Sequence, residues 1–156
     1  MSVKERLRQA RFRSPSQEAM MSLLVAALHL KCRLEAVCGR AGVTHDQYNV
    51  LRILRGVYPG GHPRYEIALR LVDRAPDVTR LLDRLARQGL IKRYRAEGDR
   101  RLSLARITDR GLALLDRLDG PIDALTSTVA APLRPPELAQ LTDLCSRLIP
   151  AGDAAS

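Results

Sequence analysis

The sequence predicts a mainly α-helical fold with a small β-hairpin wing: a winged helix-turn-helix with long N- and C-terminal dimerisation helices. Two long stretches, one near each end, repeat apolar residues every three or four positions, as amphipathic helices do. Between them, shorter helical patterns are separated by turns that contain Pro and Gly. A hairpin pattern with a charged tip follows the last of these short helices, and this order is typical of a winged helix.

Length and composition limit the class of protein. The chain has 156 residues, which is enough for one domain with its own core. Hydrophobic residues make up 46% and charged residues 28%, as in ordinary globular proteins. With one Phe, four Tyr and no Trp, the core must be aliphatic. The same scarcity argues against proteins that stack single-stranded bases on aromatic side chains.

The net charge of +9 is distributed unevenly along the chain. Residues 1–15 carry five basic side chains against one acidic, and residues 64–106 carry twelve against six. Residues 107–156 carry four against seven. A basic central block on an acidic C-terminal third predicts a polyanionic partner.

Cellular location is predicted from what the sequence does not contain. Basic residues near the N-terminus are not followed by an apolar run, so we expect no secretory signal. Apolar stretches are only a few residues long, so we expect no membrane span and no membrane partner. Cys32, Cys38 and Cys145 have neither metal-binding spacing nor an evident disulfide framework. We therefore predict a cytoplasmic protein.

The N-terminal part of the chain is predicted as an arm and a long helix. Residues 1–15 are expected to form a basic, poorly ordered arm, and residues 16–43 a dimerisation helix running from about Gln17 to Gly39. This helix has two apolar stripes, which favours burying one internally and the other against a second subunit. The alternative is a helix buried entirely within one chain. The two stripes are Met20, Leu23, Ala27, Leu30, Leu34 and Val37, and Met21, Leu24, Leu28 and Cys32.

Residues 44–107 are predicted as the winged helix-turn-helix. Thr44 and Gln47 form a capping box that begins a helix through about Tyr58. Residues 59–63 are expected to be a loop, and residues 64–72 a short helix. A third helix runs from about Pro76 to Gln88, and Gly89 ends it. The residues expected to face inward from the first two helices are Tyr48, Leu51, Leu54, Ile67 and Leu71.

The remaining elements are a hairpin and the C-terminal helices. Residues 90–95 and 102–107 are predicted as its two strands. Residues 108–150 are expected to form the C-terminal dimerisation helices, the first kinked or interrupted at Gly120 and Pro121 and the second covering about 137–148. Residues 151–156 are predicted as a flexible tail. The heptad positions of the first C-terminal helix are Leu115, Leu118, Ile122, Leu125 and Val129.

The third helix of the central region is strongly amphipathic. One face is apolar, and the other carries Arg80, Arg84 and Arg87 with Asp77 and Thr79 beside them. Arg chelates guanine O6 and N7 in the major groove of DNA and also pairs with phosphate. Asp77 either accepts from cytosine or favours the helix dipole. The alternative is a solvated face with intrahelical pairs such as Asp83–Arg87.

The hairpin supplies a second set of charges. Asp99, Arg100 and Arg101 stand at its tip, where a guanidinium can enter the minor groove, whose narrow form has enhanced negative potential. Asp99 can hold one of these guanidiniums in position. The strand residues Lys92, Arg93, Arg95 and Arg106 are predicted to contact phosphates, which position a protein without specifying sequence.

Three segments resemble the MarR family of bacterial transcriptional regulators. "DRRLSLARITDRG" (99–111) resembles the family's wing signature, "APDVTRLLDRLARQGLIKR" (75–93) its recognition helix and first wing strand, and "THDQYNVLRIL" (44–54) its second helix. The resemblance spans about residues 16–148. It implies a homodimer whose first and last helices interleave. It also implies binding to double-stranded DNA as a repressor or activator, often relieved by small molecules or by oxidation.

The resemblance also assigns residues to roles. Groove-facing positions fall on Asp77, Thr79, Arg80 and Arg84, and wing contacts on Asp99, Arg100 and Arg101. Family ligand pockets lie between the dimerisation helices and the DNA-binding lobe, and a small aromatic or carboxylate effector would suit that region here. Alternatively, the polar side chains of this region are core or interface residues with protein partners. The candidate effector-binding residues are His29, Arg33, Tyr48 and Arg52.

Other classes of function are weighed against this one. The sequence has no catalytic triad arrangement and no phosphate-binding Gly motif, so we predict neither an enzyme nor a cofactor. His29, His45 and His62 lack ligand spacing, so we predict no metal site, although zinc sensing is one alternative. Redox sensing through Cys32 or Cys38 is another, although neither aligns with the family's sensor position. A sequence-neutral chromosome-coating protein and a protein-binding winged helix are the remaining alternatives.

We therefore predict a sequence-specific regulator that binds double-stranded DNA. It is expected to act as a repressor, to bind an inverted-repeat operator as a homodimer and to be released by a small-molecule ligand.

Overall fold

The computed structural model describes the backbone of residues 2–73, 77–96 and 99–150, with the side chains of all of these except 96 and 99–102. The fold is mainly helical with one small sheet, as predicted. In chain order, its elements are α1 (Val3–Leu7), α2 (Pro15–Arg40), α3 (His45–Arg55), β1 (His62–Pro63), α4 (Arg64–Arg70), α5 (Val78–Arg87), β2 (Ile91–Ala96), β3 (Asp99–Ile107), α6 (Asp109–Ala130) and α7 (Pro135–Leu148).

Local sequence signals account for where the helices begin. The predicted capping box at the start of α3 is present: the Thr44 hydroxyl accepts from the Gln47 backbone N–H at 3.1 Å, and the Gln47 side chain accepts from the Thr44 N–H at 2.9 Å. Ser14 and Thr108 cap α2 and α6 in the same way with their hydroxyls. Gly89, with φ +71°, follows α5 in the left-handed conformation that favours glycine.

The structure corrects the expectation for the N-terminal arm. This segment contains α1, which has its own capping box between Ser2 and Glu5, and Lys4 lies 3.1 Å from Glu18 of α2. A capped turn paired with the next helix is ordered locally, although its composition is basic and polar.

Several further boundaries differ from the sequence-based expectation. β3 begins at Asp99 instead of residue 102. α3 ends at Arg55 instead of Tyr58. The predicted loop 59–63 contains the short strand β1, which pairs with β3. α6 is continuous through Pro121, so the expected interruption is absent from this fully described helix. The missing Pro N–H removes one hydrogen bond but leaves the neighbouring turns of the helix intact.

The sheet has the strand order β1-β3-β2 and is antiparallel throughout. Arg93 lies opposite Ala105 and Lys92 opposite Arg106. Because successive side chains of a strand alternate between faces, Ile91, Arg93 and Arg95 share one face and Lys92 and Tyr94 the other. Ile91 and Ala105 are buried, so the face that carries Arg93 and Arg95 is the one turned toward the core.

The core is aliphatic, as predicted, and lies where α3, α4, α5, the sheet and α6 meet. All the inward-facing residues expected from α3 and α4 are buried, and so is the apolar face of α5. The heptad residues of α6 are buried from Leu115 to Leu125, while Val129 is half-buried. The largest fully buried side chains include Leu51, Leu54, Ile67, Leu85, Ile91, Ile107 and Leu115.

The two ends of the chain are packed less fully. Within α2, Cys38 alone is buried, and Met20, Leu24 and Leu28 are each about half exposed. None of the described residues of α7 is buried, and Leu141 and Leu144 are 45% and 44% exposed. Both helices thus present apolar side chains to their surroundings. Across the described ranges, no helix has the length and apolar character needed to cross a membrane.

Candidate nucleic-acid interface

α5 is anchored through its apolar face, as the sequence predicts. Val78, Leu81, Leu82 and Leu85 are all buried, with at most 9% of each residue exposed. Burying a Val or Leu side chain is worth about 1.5–3 kcal/mol, so this face holds α5 firmly on the core. The opposite face is therefore presented to solvent.

The polar face of α5 carries the predicted arginines. Arg80, Arg84 and Arg87 are exposed, and Thr79 is exposed beside them. The Arg80 side chain is 81% exposed. Arginines at i, i+4 and i+7 project from neighbouring turns on one side of a helix. The arrangement can present several guanidiniums to a groove at once.

Asp77 has a structural role at the start of this helix. Its carboxylate accepts from the Arg80 backbone N–H at 3.2 Å and lies 3.3 Å from Arg80 Nε. This is the helix-favouring role considered for Asp77. Because both contacts engage the carboxylate, Asp77 also orients the Arg80 side chain.

The intrahelical ion pair between Asp83 and Arg87, which belonged to the alternative of a solvated face, is absent among the described contacts. Arg87 Nε donates to the Asp83 backbone carbonyl at 3.4 Å, which is a long hydrogen bond. The Asp83 carboxylate instead lies 2.9 Å from Arg93 Nη2, on the first wing strand. The recognition helix and the wing are thus joined directly by an ion pair.

Close packing joins the end of α5 to the start of α6. The Thr108 hydroxyl donates to the Gly89 carbonyl at 2.8 Å and accepts from the Gly111 N–H at 3.2 Å. A Cβ added to Gly111 would lie 2.4 Å from the Leu90 carbonyl oxygen. Only glycine permits this approach, which holds the base of the wing against α6.

The wing divides its basic residues between two faces. Arg93 and Arg95 lie on the face turned toward α5, whereas Lys92 and Arg106 lie opposite each other on the outer face. The Arg106 guanidinium sits 5.5 Å from the Tyr94 ring centroid. The structure therefore separates two pairs of residues that the sequence had grouped together. The predicted tip residues Asp99, Arg100 and Arg101 have side chains outside the described part.

The four predicted effector-binding residues are only partly brought together. Tyr48 is 5% exposed, and the Arg52 guanidinium lies 5.8 Å from its ring centroid. Burial raises the pKa of the Tyr48 hydroxyl above its usual value. On α2, His29 is exposed and Arg33 half-buried, and the described contacts include none between these two and the Tyr48–Arg52 pair.

Two ion pairs that the sequence did not reveal connect the long helices to the central region. Lys31 Nζ of α2 lies 2.8 Å from Asp73, which follows α4. Arg55 of α3 donates two hydrogen bonds to the Asp119 carboxylate of α6, at 2.8 and 3.1 Å. The partners are 42 and 64 residues apart, so no local pattern could indicate these pairs.

Gln88, at the end of α5, was also missed. Its side-chain amide donates to the Gly42 carbonyl at 3.3 Å. It also lines a polar recess of about 390 Å³ together with Gln47, Arg84 and Arg87. The recess adjoins the arginine face of α5 and opens to solvent.

In the part of the chain that the structure describes, no three or more His, Cys, Asp or Glu side chains cluster so that they could hold a metal ion. Cys38 is fully buried, and burial raises the pKa of its thiol to about 11, with Glu35 adding to the shift. A thiol of that pKa is almost entirely protonated near neutral pH, so it is a poor nucleophile.

Comparisons with known proteins agree on the family. The family model for MarR matches residues 43–103. A MarR transcription factor from Planctomyces limnophilus, known from a crystal structure, is 37% identical, with 87% of this chain and 98% of that chain covered and a TM-score of 0.68. The homoprotocatechuate degradative operon repressor of Escherichia coli is 27% identical over 115 residues, which are 74% of this chain and 76% of that protein.

A third comparison extends the agreement in fold. A MarR family regulator from Streptomyces coelicolor, solved in complex with DNA, is 22% identical, with 90% of this chain and 89% of that chain covered and a TM-score of 0.78. The likeness covers the long helices as well as the central region.

Proposed function

We propose that this chain, which belongs to the MarR family of transcriptional regulators, represses transcription from an inverted-repeat operator. Membership of this family makes it a DNA-binding regulator and not an enzyme. On this proposal it binds the operator as a homodimer. The observation that carries this proposal is the row of exposed arginines on α5, a helix whose other face is fully buried. A firmly held helix with several exposed guanidiniums suits sequence reading in a major groove.

Base reading is assigned to Thr79, Arg80 and Arg84. Arg80 and Arg84 lie on adjacent turns and can each chelate a guanine, while Thr79 can bond a base edge or touch a thymine methyl. Asp77 supports Arg80 through its cap and ion pair. Arg87, one turn further along, is assigned to the flank of the same groove.

Phosphate and minor-groove contacts are assigned to the wing. Arg95 lies on the sheet face turned toward α5, and Lys92 lies on the outer face. The tip residues Asp99, Arg100 and Arg101 are proposed to approach the minor groove, with a guanidinium as the inserted group. These contacts position the dimer on the duplex, while α5 supplies most of the sequence preference.

The homodimer is supported by the apolar faces of α2 and α7. Both helices expose leucines along one side, and a recess of about 400 Å³ between them is lined mainly by apolar side chains. A second copy would cover these side chains by interleaving the same helices. Two α5 helices would then reach successive major grooves, about 34–36 Å apart.

Release by a small ligand is the remaining part of the proposal. The Tyr48 ring with the Arg52 guanidinium offers an apolar surface beside a cation, which suits an aromatic carboxylate. His29 and Arg33 are proposed to complete the site from α2. The protein is proposed to act in the cytoplasm, because both the chromosome and small aromatic carboxylates are found there.

The test is a fluorescence-anisotropy titration against the duplex upstream of the protein's own gene and against a scrambled duplex, across a range of salt concentrations. We expect the first duplex to bind about a thousandfold more tightly. Equal affinities with a steep salt dependence would contradict sequence-specific repression and favour a chromosome-coating protein. Absence of binding to both duplexes would favour a winged helix that binds protein. A loss of the anisotropy signal on the first duplex when benzoate, an aromatic carboxylate, is added would support release by a small ligand.

A further inference from the structure

Arg93 has two partners on the recognition helix. Its Nη2 lies 2.9 Å from the Asp83 carboxylate and donates to the Thr79 backbone carbonyl at 3.4 Å. Thr79 and Asp83 are one turn apart on the same side of α5. One guanidinium of the wing therefore spans a full turn of the recognition helix.

The spanned turn is the one that carries the proposed base readers. Thr79 makes one of these contacts with the wing through its own carbonyl. Arg80 directly follows Thr79, and Arg84 directly follows Asp83, which makes the other contact. A rotation of α5 by about 10° would move an atom about 6 Å from the helix axis by roughly 1 Å. A displacement of that size is comparable with the tolerance of a hydrogen bond to a base edge.

We propose that Arg93 and Asp83 form a positioning pair that fixes the rotational setting of α5 against the wing. On this proposal Arg93 acts on operator recognition through α5, and its own contact with a phosphate is secondary. The inference rests on the proposed function, since it concerns how the base readers of α5 are aimed.

Elementary electrostatics makes the opposite prediction. Asp83 is a negative charge on a helix that approaches DNA, so removing that charge should strengthen binding to any duplex. If the carboxylate positions α5 through Arg93, its removal weakens binding to the operator. Whether Asp83→Asn strengthens or weakens operator binding therefore distinguishes simple charge repulsion from the positioning role.

The experiment measures affinity for the operator and for a scrambled duplex, using an operator that the wild-type protein selects from a random pool. We expect Asp83→Asn to weaken operator binding about five- to tenfold, with scrambled-duplex binding unchanged or tighter. Arg93→Lys keeps the charge, but its ammonium lies one bond short of the position of Nη2, which makes both contacts, so it should produce a similar loss. The Asp83→Asn/Arg93→Lys double variant should bind the operator no more weakly than the weaker-binding of the two single variants. Asp123→Asn, an exposed charge on α6, is the matched control and should leave the ratio of the two affinities unchanged.

Operator binding by Asp83→Asn at wild-type strength or tighter would overturn the inference. So would an Arg93→Lys variant that discriminates between the duplexes as well as the wild type does. Circular dichroism and thermal unfolding of every variant would detect a failure to fold, and Asp83→Glu should restore part of the discrimination because it retains the carboxylate.

A second measurement does not depend on DNA. Amide hydrogen exchange in the first two turns of α5 and in β2 should become faster in Asp83→Asn and in Arg93→Lys. Unchanged exchange would overturn the positioning role even if the protein proved to have no operator. Wild-type protein that fails to discriminate between duplexes would contradict the proposed function instead, so the two failures are distinguishable.

Discussion

At the scale of single residues, burial determines the chemistry of two groups near the junction of α2 and α3. Cys38 is fully buried and His45 is 9% exposed. Loss of hydration disfavours the thiolate of one and the imidazolium of the other, so the pKa of Cys38 rises and that of His45 falls. Both groups are therefore neutral near pH 7.

The reactivity of Cys38 provides a test of this burial. In a Cys32→Ser/Cys145→Ser background, alkylation of Cys38 by iodoacetamide should be slow at pH 7 and should still be rising tenfold per pH unit at pH 9–10, because its pKa is about 11. Mass spectrometry of the alkylated peptide would follow the rate. A rate that levels off by about pH 9.5, as for a free thiol of pKa about 8.5, would contradict the prediction and revive the redox-sensing alternative.

His45 predicts a pH dependence of stability. The pKa of its imidazole in the folded state lies below the ordinary value of 6.5, chiefly because of burial. The unfolded chain therefore binds more protons between these two pKa values, and the free energy of unfolding falls as pH drops below about 6.5. Urea unfolding from pH 7.5 to 5.5, at fixed protein concentration, would measure the slope.

The control for His45 is a second histidine. His45→Gln should flatten the slope over this range, whereas His29→Gln, at an exposed position, should retain it. If the free energy of unfolding has the same pH slope in the wild type, His45→Gln and His29→Gln, the pH dependence belongs to another group.

At the scale of elements, α5 separates two functions around its circumference. Its leucines hold it on the core, and its arginines face outward. The wing adds cations on strands whose register fixes which face each one occupies. Contacts from α5 and contacts from the wing should therefore respond differently to mutation.

Arg84→Ala and Arg95→Ala are expected to separate these contributions. Loss of a base-reading guanidinium should cost about 1–3 kcal/mol on the operator and relax specificity at one base position. Loss of a phosphate contact should weaken all duplexes alike and lower the salt slope by about one. Anisotropy titrations on the operator and on single-base variants would measure both. Equal losses on every duplex for both variants would show that this sorting of contacts is wrong.

Much of the fold is predictable because its signals are local. The caps at Thr44 and Thr108, the stop at Gly89 and the two faces of α5 each depend on residues a few positions apart. Strand β1 was missed because two residues, one of them Pro63, become a strand only by pairing with β3, about 40 residues later. The Arg93–Asp83 pair was missed because it joins two different elements, β2 and α5. The sequence offered Asp83 an intrahelical partner, Arg87, equally well.

At the scale of the whole molecule, the two end helices leave apolar side chains exposed in the single chain. α2 exposes Met20, Leu24 and Leu28, and α7 exposes leucines along most of its length. Exposed apolar faces of this extent mark interaction surfaces. The central region, by contrast, has its own closed core.

Replacing one of these leucines by an acid should disrupt self-association. Leu144→Glu would place a charge on the apolar side of α7 and is expected to shift the protein from dimer to monomer in sedimentation equilibrium. Operator affinity should fall sharply, because a monomer reaches only one half-site. Gln140→Glu adds the same charge to an exposed polar position of α7 and should remain dimeric. A Leu144→Glu protein that stays dimeric would exclude this face as the interface.

The small sheet has a consequence for how the protein behaves at high concentration. A strand with unpaired backbone groups is a template for adding further strands, and this open sheet has two edge strands. Here β1, on one side of the central strand β3, is two residues long and ends in a Pro, which has no N–H to donate. The other edge, β2, carries the exposed cations Lys92 and Arg95, whose charges disfavour pairing with a second copy of the same strand. The cations that suit the wing to a polyanion should thus also disfavour edge-to-edge pairing of two copies at high concentration.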